Sequence, residues 1–217
     1  MITEGSLVDT CGSAPSVTAR LQTIFHARVF SAKNAGGRRV SAITTTETID
    51  WRDQIFAVLK AEDIRQVGYV PDAGHARLIE LCRGDPAIRA VPLTTEEEGV
   101  ALLAGAWLGG QRGVLLMQSS GVGNCINMLS LTQTCRFPLT MLVAMRGEWG
   151  EFNPWQVPMG THTQAALELC NVLVYRVDRA EEAAETVAAA FDIAFNSCLA
   201  TAVLLSQRLI GAKRWVK

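Results

Sequence analysis

The sequence predicts an α/β protein built on a doubly wound, mostly parallel six-stranded sheet with helices on both faces. Two observations carry this prediction. From about residue 49 onwards, short segments of strand length alternate with longer segments whose apolar residues recur at helical spacing. Most of the strand-like segments are continuously apolar, and this is typical of a parallel sheet that helices cover on both sides.

The predicted elements follow one another in a regular order. The first helix covers WRDQIFAVLKAEDI and precedes a short strand, VGYV, which ends at Pro71. A second helix, HARLIELC, stops at the turn Gly84-Asp85-Pro86. The remaining strands are predicted in the segments AIRAVPL, VLLMQ, PLTMLVAM, VLVYRV and ATAVLLS, with helices between them.

The helix after AIRAVPL begins with three carboxylates, Glu96, Glu97 and Glu98. Negative charge in a first turn favours the helix dipole by roughly 0.3–1 kcal/mol per residue, so the simplest interpretation is a charged helix start. Their position directly after a buried strand also makes them candidates for a functional site. Gly105 and Ala106, beside the apolar stripe of this helix, predict close packing there.

Two later segments also bear on a site. The glycine-rich segment SGVGNCINMLSLTQ is predicted as one helix after VLLMQ. Between PLTMLVAM and the predicted helix HTQAALELC lies a loop of about 15 residues, RGEWGEFNPWQVPMG, and loops of that length inside a compact domain are usually functional. The long AEEAAETVAAAFDIAF helix follows later and precedes the last strand.

Composition restricts the domain organisation and the class of function. The 217 residues are predicted to form one domain over residues 46–217, after a flexible tail over residues 1–45 with five basic and two acidic side chains. A net charge of −1 argues against nucleic acid and anionic membranes as partners. No apolar run is long enough to span a bilayer. Six cysteines without a CxxC pair are typical of reduced thiols in a cytoplasmic protein.

Three predicted strands end in polar residues, and doubly wound sheets bind ligands outside the carboxyl ends of their strands. The candidates at these three ends are Thr94, Thr95 and Glu96; Gln118, Ser119, Ser120, Gly121 and Gly123; and Arg146, Gly147 and Glu148. Two simpler explanations stand beside this hypothesis. The glycines also suit a tight strand-to-helix turn, and an arginine at a surface also suits an ion pair.

Other chemistries lack their characteristic residues. The GxxxxGK[ST] pattern of nucleoside-triphosphate enzymes and the GxSxG elbow of α/β-hydrolases are absent. The three histidines show no metal-ligand spacing with each other or with cysteines, so no metal site is predicted in this chain. His162 follows the long loop and is a site candidate, because histidine is the usual acid–base group near pH 7.

The segment IRAVPLTTEEEGVALLAG resembles the pyrimidine-binding domain of thiamine-diphosphate-dependent decarboxylases and synthases, in which a strand runs into one glutamate that opens an alanine-rich helix. A match without gaps places that glutamate on Glu96, whereas Glu97 would need one deletion and is the second choice. MQSSGVGN resembles the glycine turn of the same domain. RGEWGEFNPWQ resembles a loop of sulfopyruvate and phosphonopyruvate decarboxylases, and PWQVPMG is closer to the sulfopyruvate alpha subunits, because Val157 follows Gln156.

The resemblance implies a role for each candidate. Glu96, or Glu97 in its place, would hydrogen-bond the ring nitrogen of the aminopyrimidine of thiamine diphosphate and favour the tautomer that removes the thiazolium proton. The cofactor would be bound by the neighbouring residues Thr95, Gln118, Ser119, Gly121, Gly123 and Asn124. A small anionic 2-oxoacid substrate, whose sulfonate or phosphonate needs cationic or N–H donors, would be bound by Arg146, Gln156 and His162.

One motif of these enzymes is missing from the chain. Their diphosphate-binding half carries a GDG motif followed by an Asn-rich pair, and Gly84-Asp85-Pro86 has no such partner. The resemblance therefore implies that a separate beta subunit holds Mg²⁺ and the diphosphate, in an α2β2 or larger assembly. The implied reaction converts 3-sulfopyruvate to sulfoacetaldehyde and CO₂, for coenzyme M synthesis or another route. The sequence leaves two alternatives open: a phosphonopyruvate or other 2-oxoacid decarboxylase subunit, and a non-catalytic regulatory subunit.

Overall fold

Six strands form one sheet in the computed structural model, which describes residues 50–211, and every pair of neighbouring strands is parallel. The strands are β1 (Ile64–Tyr69), β2 (Arg89–Pro92), β3 (Arg112–Gln118), β4 (Leu139–Ala144), β5 (Leu173–Val177) and β6 (Ala200–Leu205), in the order β2-β1-β3-β4-β6-β5. The predicted α/β sheet is confirmed, strand by strand. The tail predicted over residues 1–45 lies outside the described residues and stays a prediction.

Helices fill the connections between the strands. They are α1 (Trp51–Ala61), α2 (Ala76–Gly84), α3 (Glu96–Leu108), α4 (Ser119–Cys125), α5 (Ser130–Cys135), a 3-10 helix (Pro154–Gln156), α6 (Val157–Leu169), α7 (Ala180–Ser197) and α8 (Gln207–Ile210). α3 and α4 pack against β3 and against each other, and α6 packs against α4 and β5. α7 packs against β4, β5 and β6, and α1 packs against α7.

The core explains why the strands are continuously apolar. β4 and β6 are buried along their whole length. Met141 of β4 joins a cluster with Val122 of α4 and Leu167 of α6. Successive residues of a strand point to opposite faces, so the neighbouring Leu142 faces the other side of the sheet. The sheet is therefore covered on both faces, as predicted.

The segment SGVGNCINMLSLTQ, predicted as one helix, forms the two short helices α4 and α5. In the turn between them the backbone bonds span three residues: the Ser130 N–H donates to the Asn127 carbonyl and the Leu131 N–H to the Met128 carbonyl. The Ser130 hydroxyl also donates to the Asn127 carbonyl, at 2.7 Å. The prediction of a continuous helix was wrong because this hydroxyl competes with the backbone for a helical acceptor.

The loop after β4 is shorter than the predicted 15 residues. Irregular backbone extends only from Met145 to Asn153, and the 3-10 helix and α6 follow without a break. Two prolines, Pro154 and Pro158, lie at the starts of these helices. A proline there has the backbone angle that a helix needs and lacks an N–H that would have no helical partner. The prediction of loop up to residue 160 was therefore wrong at its end.

Gly99, and not Gly105, permits the close packing of α3. A Cβ atom at position 99 would overlap the Leu115 side chain and approach Leu93 Cδ1 to 2.9 Å, whereas a Cβ at Gly105 would meet nothing within 4 Å. Gly105 is exposed and Gly99 is buried. The helix contacts the sheet through its first turns, which the pattern of small residues alone could not indicate.

The order in which the strands are connected creates a crevice at the carboxyl edge of the sheet. The connection after β1 leads outward to β2, whereas the connection after β3 leads the opposite way to β4. Because β1 and β3 are neighbours, their carboxyl ends flank the point at which doubly wound sheets bind ligands. Asp72, shortly after β1, and Gln118, the last residue of β3, lie at this crevice.

We expect the substitution Gly99→Ala to lower the free energy of unfolding by about 1–3 kcal/mol, because the added methyl group overpacks the contact with Leu115. The matched substitution Gly105→Ala, in the same helix, should raise it by up to about 1 kcal/mol, because alanine favours a helix and the site has free space. Urea denaturation of both variants measures the difference. Equal stabilities would show that the early turns of α3 do not pack as described.

Candidate active site

Glu96 is a buried carboxylate at the start of α3, and only 7% of its surface is exposed. Its carboxyl group lies against Gly121 of α4, so closely that a Cβ atom at position 121 would overlap it. Asn124, one turn further along α4, donates from Nδ2 to Glu96 Oε2 at 2.7 Å. The other oxygen, Oε1, has no hydrogen-bond partner among the described residues.

The other two carboxylates of this helix start have different surroundings. Glu98 accepts a hydrogen bond from the Thr94 N–H at 2.9 Å and so fixes the chain where it enters the helix. Glu97 is half-buried, and within residues 50–211 no side chain or backbone group donates to it. The sequence left Glu96 and Glu97 as alternatives, and the geometry favours Glu96, which faces α4. The simple interpretation as a charged helix start is sufficient for Glu97 and Glu98.

Thr95 precedes Glu96 and is the N-cap residue of α3, but its side chain makes no capping hydrogen bond. Its Oγ1 is buried and has no partner within the described part of the chain. A buried hydroxyl without a partner costs about 1–3 kcal/mol. Thr95 therefore carries an unsatisfied polar group in the residue that precedes Glu96.

Gln118 connects three segments at the crevice. Its Nε2 donates to Asp72 Oδ1 at 2.9 Å, and its Oε1 accepts from Ser120 Oγ and from Gln156 Nε2, both at 2.9 Å. Asp72 also accepts from the Gly74 N–H at 2.8 Å. Because an ionised carboxylate only accepts, Asp72 sets the orientation of the Gln118 amide, and Gln118 in turn sets that of Gln156. We call the chain of Asp72, Gln118 and Gln156 the amide relay.

The amide relay ends in an unpaired acceptor. Gln156 donates from Nε2 to Gln118, whereas Oε1 of Gln156 is buried and has no donor among the described residues. Gln156 itself lies at the end of the 3-10 helix, next to the exposed Val157 and Trp155. The relay therefore fixes the position of a segment that carries exposed apolar side chains.

Ser119 is fully buried and ties the end of β3 to the end of β4. Its hydroxyl donates to the Arg146 carbonyl at 3.2 Å and accepts from the Arg146 N–H at 3.0 Å. Its own carbonyl accepts from Thr163 Oγ1 of α6 at 3.5 Å. The proton and one of the two lone pairs of the hydroxyl are used inside the protein, so the structure gives Ser119 a strand-joining contact, and its role in cofactor binding stays a prediction.

Arg146 is buried and forms a two-pronged ion pair with Glu151. Nε and Nη2 donate to the two Glu151 oxygens at 2.7 and 2.6 Å, and the pKa of the guanidinium rises as a result. The Arg146 fork, the Gly147 and Asn153 N–H groups and the side chain of Gln207 lower the pKa of Glu151 from 4.5 to about 2 against the opposing effect of burial. Arg146 was predicted to bind substrate, but Nε and Nη2 of its guanidinium group are already used by Glu151 in the same loop.

Arg146 also lines a cavity at the carboxyl edge of the sheet. The cavity has a volume of about 210 Å³ and lies between the chain after β1, the end of β4 and the chain after α8. The residues that line it include Arg52, Arg146 and Asp72. Arg52 donates from Nε to the Gly74 carbonyl at 3.3 Å and pairs with Asp50.

The same loop is tied to the last strand. Gln207, the first residue of α8, accepts at Oε1 from the N–H groups of Glu148 and Trp149 and donates from Nε2 to Glu151 at 2.9 Å. Glu148 in turn accepts from Arg176 of β5 at 2.8 Å. These bonds hold the irregular backbone after β4 across the ends of β5 and β6.

Two predicted site residues lie away from the buried carboxylate. His162 is exposed on α6, and its Nδ1 lies 2.8 Å from the Pro158 carbonyl of the preceding turn. Its neighbour Thr163 lies on the buried face of α6 instead. Gly123 is exposed, and a Cβ there would only reach ordinary contact distance from Met159. The structure therefore brings Gly121 but not His162 to Glu96, and gives no internal packing reason for a glycine at position 123.

Sequence reasoning missed Asp72 and His75. Both follow β1, and the rule that ligands bind at strand ends could have found Asp72, since it comes three residues after the strand. His75 is fully buried; its Nε2 lies 3.0 Å from the Leu142 carbonyl and 3.2 Å from the Met117 carbonyl. Burial lowers the pKa of His75, so the ring is neutral and joins the ends of β3 and β4.

The described chain contains neither a metal-ligand cluster nor a membrane-spanning helix. Among residues 50–211, no group of three or more His, Cys, Asp or Glu side chains could hold a metal ion. Over the same range, no helix has both the length and the apolar character needed to cross a membrane. The cysteines described there, Cys82, Cys125, Cys135, Cys170 and Cys198, all carry free thiols.

Residues 49–166 match the family model described as thiamine pyrophosphate enzyme, N-terminal TPP binding domain. This range includes Glu96, Gly121 and Asn124 and the whole amide relay. The chain therefore belongs to the family of thiamine pyrophosphate enzymes, as its N-terminal TPP binding domain.

Individual relatives of this chain belong to a narrower group within that family. The sulfopyruvate decarboxylase subunit alpha of Methanothermobacter thermautotrophicus is 38% identical over 72% of this chain and 96% of its own length. The corresponding subunit of Methanococcus maripaludis is 30% identical over 70% of this chain and 92% of its own length. A phosphonopyruvate decarboxylase of Streptomyces viridochromogenes is 38% identical over 54% of this chain and 30% of its own length. These matches confirm the resemblance to sulfopyruvate decarboxylase alpha subunits.

A solved structure shares the fold. The 2-oxoglutarate:ferredoxin oxidoreductase of Magnetococcus marinus superposes with a TM-score of 0.60 at 12% identity. The superposition covers 75% of this chain and 29% of that enzyme. At this identity the likeness concerns the fold alone.

The amide relay predicts a coupling between positions 72 and 156. Gln156→Glu should lower the free energy of unfolding by about 1–3 kcal/mol, because a carboxylate cannot donate to Gln118 Oε1. In the Asp72→Asn background the relay can reverse: the new amide at position 72 donates to Gln118, and Gln118 donates to the new carboxylate at position 156. The cost of Gln156→Glu should therefore fall by about 0.5–3 kcal/mol in that background.

Urea denaturation at high salt, which screens simple repulsion between the two carboxylates, measures this coupling. Gln156→Met is the matched control, because it removes both hydrogen-bonding groups and should cost the same in the wild type and in the Asp72→Asn background. Equal costs of Gln156→Glu in the two backgrounds would contradict the relay.

The Arg146–Glu151 pair predicts a pH dependence of stability. The pKa of Glu151 is lowered in the folded state to about 2, so its contribution is complete above about pH 4.5 and is lost as the pH falls towards 2. The difference in unfolding free energy between the wild type and Glu151→Gln should shrink over this range. Glu168→Gln, at an exposed position of α6, is the control. A difference that stays constant across the range would rule out the ion pair.

Proposed function

We propose that this chain is the alpha subunit of a two-subunit, thiamine-diphosphate-dependent decarboxylase that converts 3-sulfopyruvate to sulfoacetaldehyde and CO₂. The observation that carries the proposal is the Glu96 carboxylate, buried at the start of α3 with one oxygen unpaired among the described residues. The names of the relatives matched over nearly their whole length support the substrate class. Coenzyme M synthesis is one route that would use the product.

The surroundings of Glu96 fit the pyrimidine end of the cofactor. Oε1 has no partner in the described chain, the hydroxyl of the preceding residue Thr95 is unsatisfied, and the exposed Gly123 leaves open surface on α4. When bound, thiamine diphosphate supplies the electron sink for decarboxylation. In the proposal, ionised Glu96 accepts at Oε1 a hydrogen bond from the protonated ring nitrogen, and Gly121 provides the space in which the carboxylate sits.

The cavity between the ends of β1 and β4 supports a small anionic substrate. Its volume of about 210 Å³ is below the roughly 300–1,000 Å³ of pockets for drug-sized ligands. Arg146 uses Nε and Nη2 for Glu151, which leaves Nη1 for an anionic group. Gln156, whose Nε2 is held by Gln118, lies beside this region, whereas the exposed His162 is not part of the proposal.

A partner chain is part of the proposal, and two observations support it. The relatives named as alpha subunits are matched over 96% and 92% of their length, but the phosphonopyruvate decarboxylase over only 30%. Near the candidate site, Trp155 is 71% exposed, Trp149 43% and Val157 41%. Exposed apolar side chains that cluster in this way mark interaction surfaces. We assign the diphosphate and its Mg²⁺ to this beta subunit, in an α2β2 or larger assembly.

We also propose that the protein acts in the cytoplasm. Five cysteines in the described chain carry free thiols, and none of them forms a disulfide with another. Proteins in oxidising compartments tend to hold disulfides, whereas cytosolic thiols stay reduced. The burial of Cys82 and Cys125 raises the pKa of each thiol to about 12, which keeps both in their unreactive neutral form.

The test is an assay of this chain with and without a diphosphate-binding beta subunit. We expect the isolated chain to bind thiamine diphosphate weakly and to release no CO₂, since the pyrimidine end offers few contacts. The complex should release CO₂ from sulfopyruvate faster than from phosphonopyruvate or pyruvate. Glu96→Gln in the complex should lower kcat by about 10²–10⁴-fold, the usual contribution of a positioned proton-transfer group.

Glu97→Gln and Glu98→Gln serve as matched controls, because they change the same charge in the same helical turn. Both should retain most of the activity. Turnover by the isolated chain, with micromolar cofactor binding, would refute the need for a partner. Near-normal turnover by Glu96→Gln would favour the alternative of a non-catalytic regulatory subunit, and a preference for phosphonopyruvate would overturn the substrate assignment.

A further inference from the structure

We propose that Asn124 is a positioning residue, which holds the Glu96 carboxylate by Oε2 and so makes Oε1 the oxygen that faces the cofactor. This inference rests on the proposed function and deepens it. It differs from the sequence prediction, in which Asn124 binds the cofactor directly. The observation behind it is the hydrogen bond of 2.7 Å from Asn124 Nδ2 to Glu96 Oε2.

The geometry of α4 explains why position 124 acts on Glu96. Residues three apart on a helix lie on the same face, so Gly121 and Asn124 present one surface to the carboxyl group. Gly121 lacks the side chain that would overlap Glu96, and Asn124 supplies the side chain that reaches over it. One position makes room for the carboxylate, and the other restrains its rotation.

The direction of the bond follows from the chemistry of the two groups. An ionised carboxylate only accepts, so Asn124 has to present its Nδ2, and its Oδ1 points away from Glu96. A hydrogen bond to a charged acceptor is stronger and shorter than one between neutral groups, and 2.7 Å lies at the short end of that range.

Other charged and titratable groups near Glu96 do not replace this donor. Glu97 and Glu98 on the same helix carry like charge, and Glu98 is used by the Thr94 N–H. On α4, Cys125 follows Asn124; burial, and after it the carboxylates of Glu96 and Glu97, raise the pKa of its thiol to about 12. The thiol is therefore neutral, and among the described residues Asn124 is the side chain that donates to Glu96.

The experiment uses the complex with the beta subunit and four variants: Asn124→Ala, Asn124→Asp, Asn127→Ala and Glu96→Gln. Asn124→Ala should weaken the binding of thiamine diphosphate, measured by calorimetry with Mg²⁺, by about tenfold, the value of one charge-assisted hydrogen bond. Asn124→Asp should weaken the binding further, because a second carboxylate cannot donate a hydrogen bond to Glu96 and repels its negative charge.

Asn127→Ala is the matched control, since Asn127 is exposed in the turn after α4 and its side chain makes no described contact with Glu96. In the Glu96→Gln background, Asn124→Ala should have no further effect on cofactor affinity. An equal loss in both backgrounds would overturn the positioning role, because Asn124 would then contact the cofactor directly. The positioning role would also be overturned if Asn124→Ala bound the cofactor as tightly as the control variant Asn127→Ala.

A failure of the proposed function itself would look different. In that case Glu96→Gln would bind the cofactor and turn over as the wild type does, and both proposals would fall together. If Glu96→Gln loses affinity and activity while Asn124→Ala keeps both, the proposed function stands and only the role of Asn124 is overturned.

Discussion

The contact between the Glu96 carboxyl group and the backbone of Gly121 determines how α3 and α4 meet at the end of the sheet. With a side chain at position 121 the Glu96 carboxyl group could not keep its place against α4 and would have to move away. On its other side, α3 lies equally close to β3, because Gly99 meets Leu115. Gly99 and Gly121 together determine how closely the acidic first turn of α3 lies to the ends of the strands.

Polar groups hold the strand ends together where the apolar core stops. The last carbonyls of parallel strands have few partners within the sheet, and buried carbonyls need donors. His75 serves two of them, those of Met117 and Leu142, with a single ring nitrogen. Ser119 exchanges two hydrogen bonds with the backbone of Arg146. The carboxyl edge is thus stabilised by groups that are also close to the candidate site, so changes at the site are expected to affect stability as well.

The sheet could be predicted from the sequence because continuous apolar runs indicate buried strands, whatever the local details of packing are. The site could be predicted only in part. Glu96 and Glu97 both fit a helix start, and only the rotation of α3 towards α4 separates them. Arg146 has the chemistry of an anion-binding residue, but a loop that folds back brings Glu151 to it, and such loop geometry has no periodic signal in sequence. Asp72 was overlooked because a single carboxylate after a short strand resembles an ordinary turn residue.

The network around Glu151 has a consequence for the dynamics of the loop after β4. The N–H groups of Gly147 and Asn153 both donate to this one buried carboxylate, which also pairs with Arg146, so a single side chain restrains both ends of the irregular backbone. A loop restrained in this way loses less conformational entropy when another chain binds it than a mobile segment would. The exposed side chain of Trp155 follows directly after this loop.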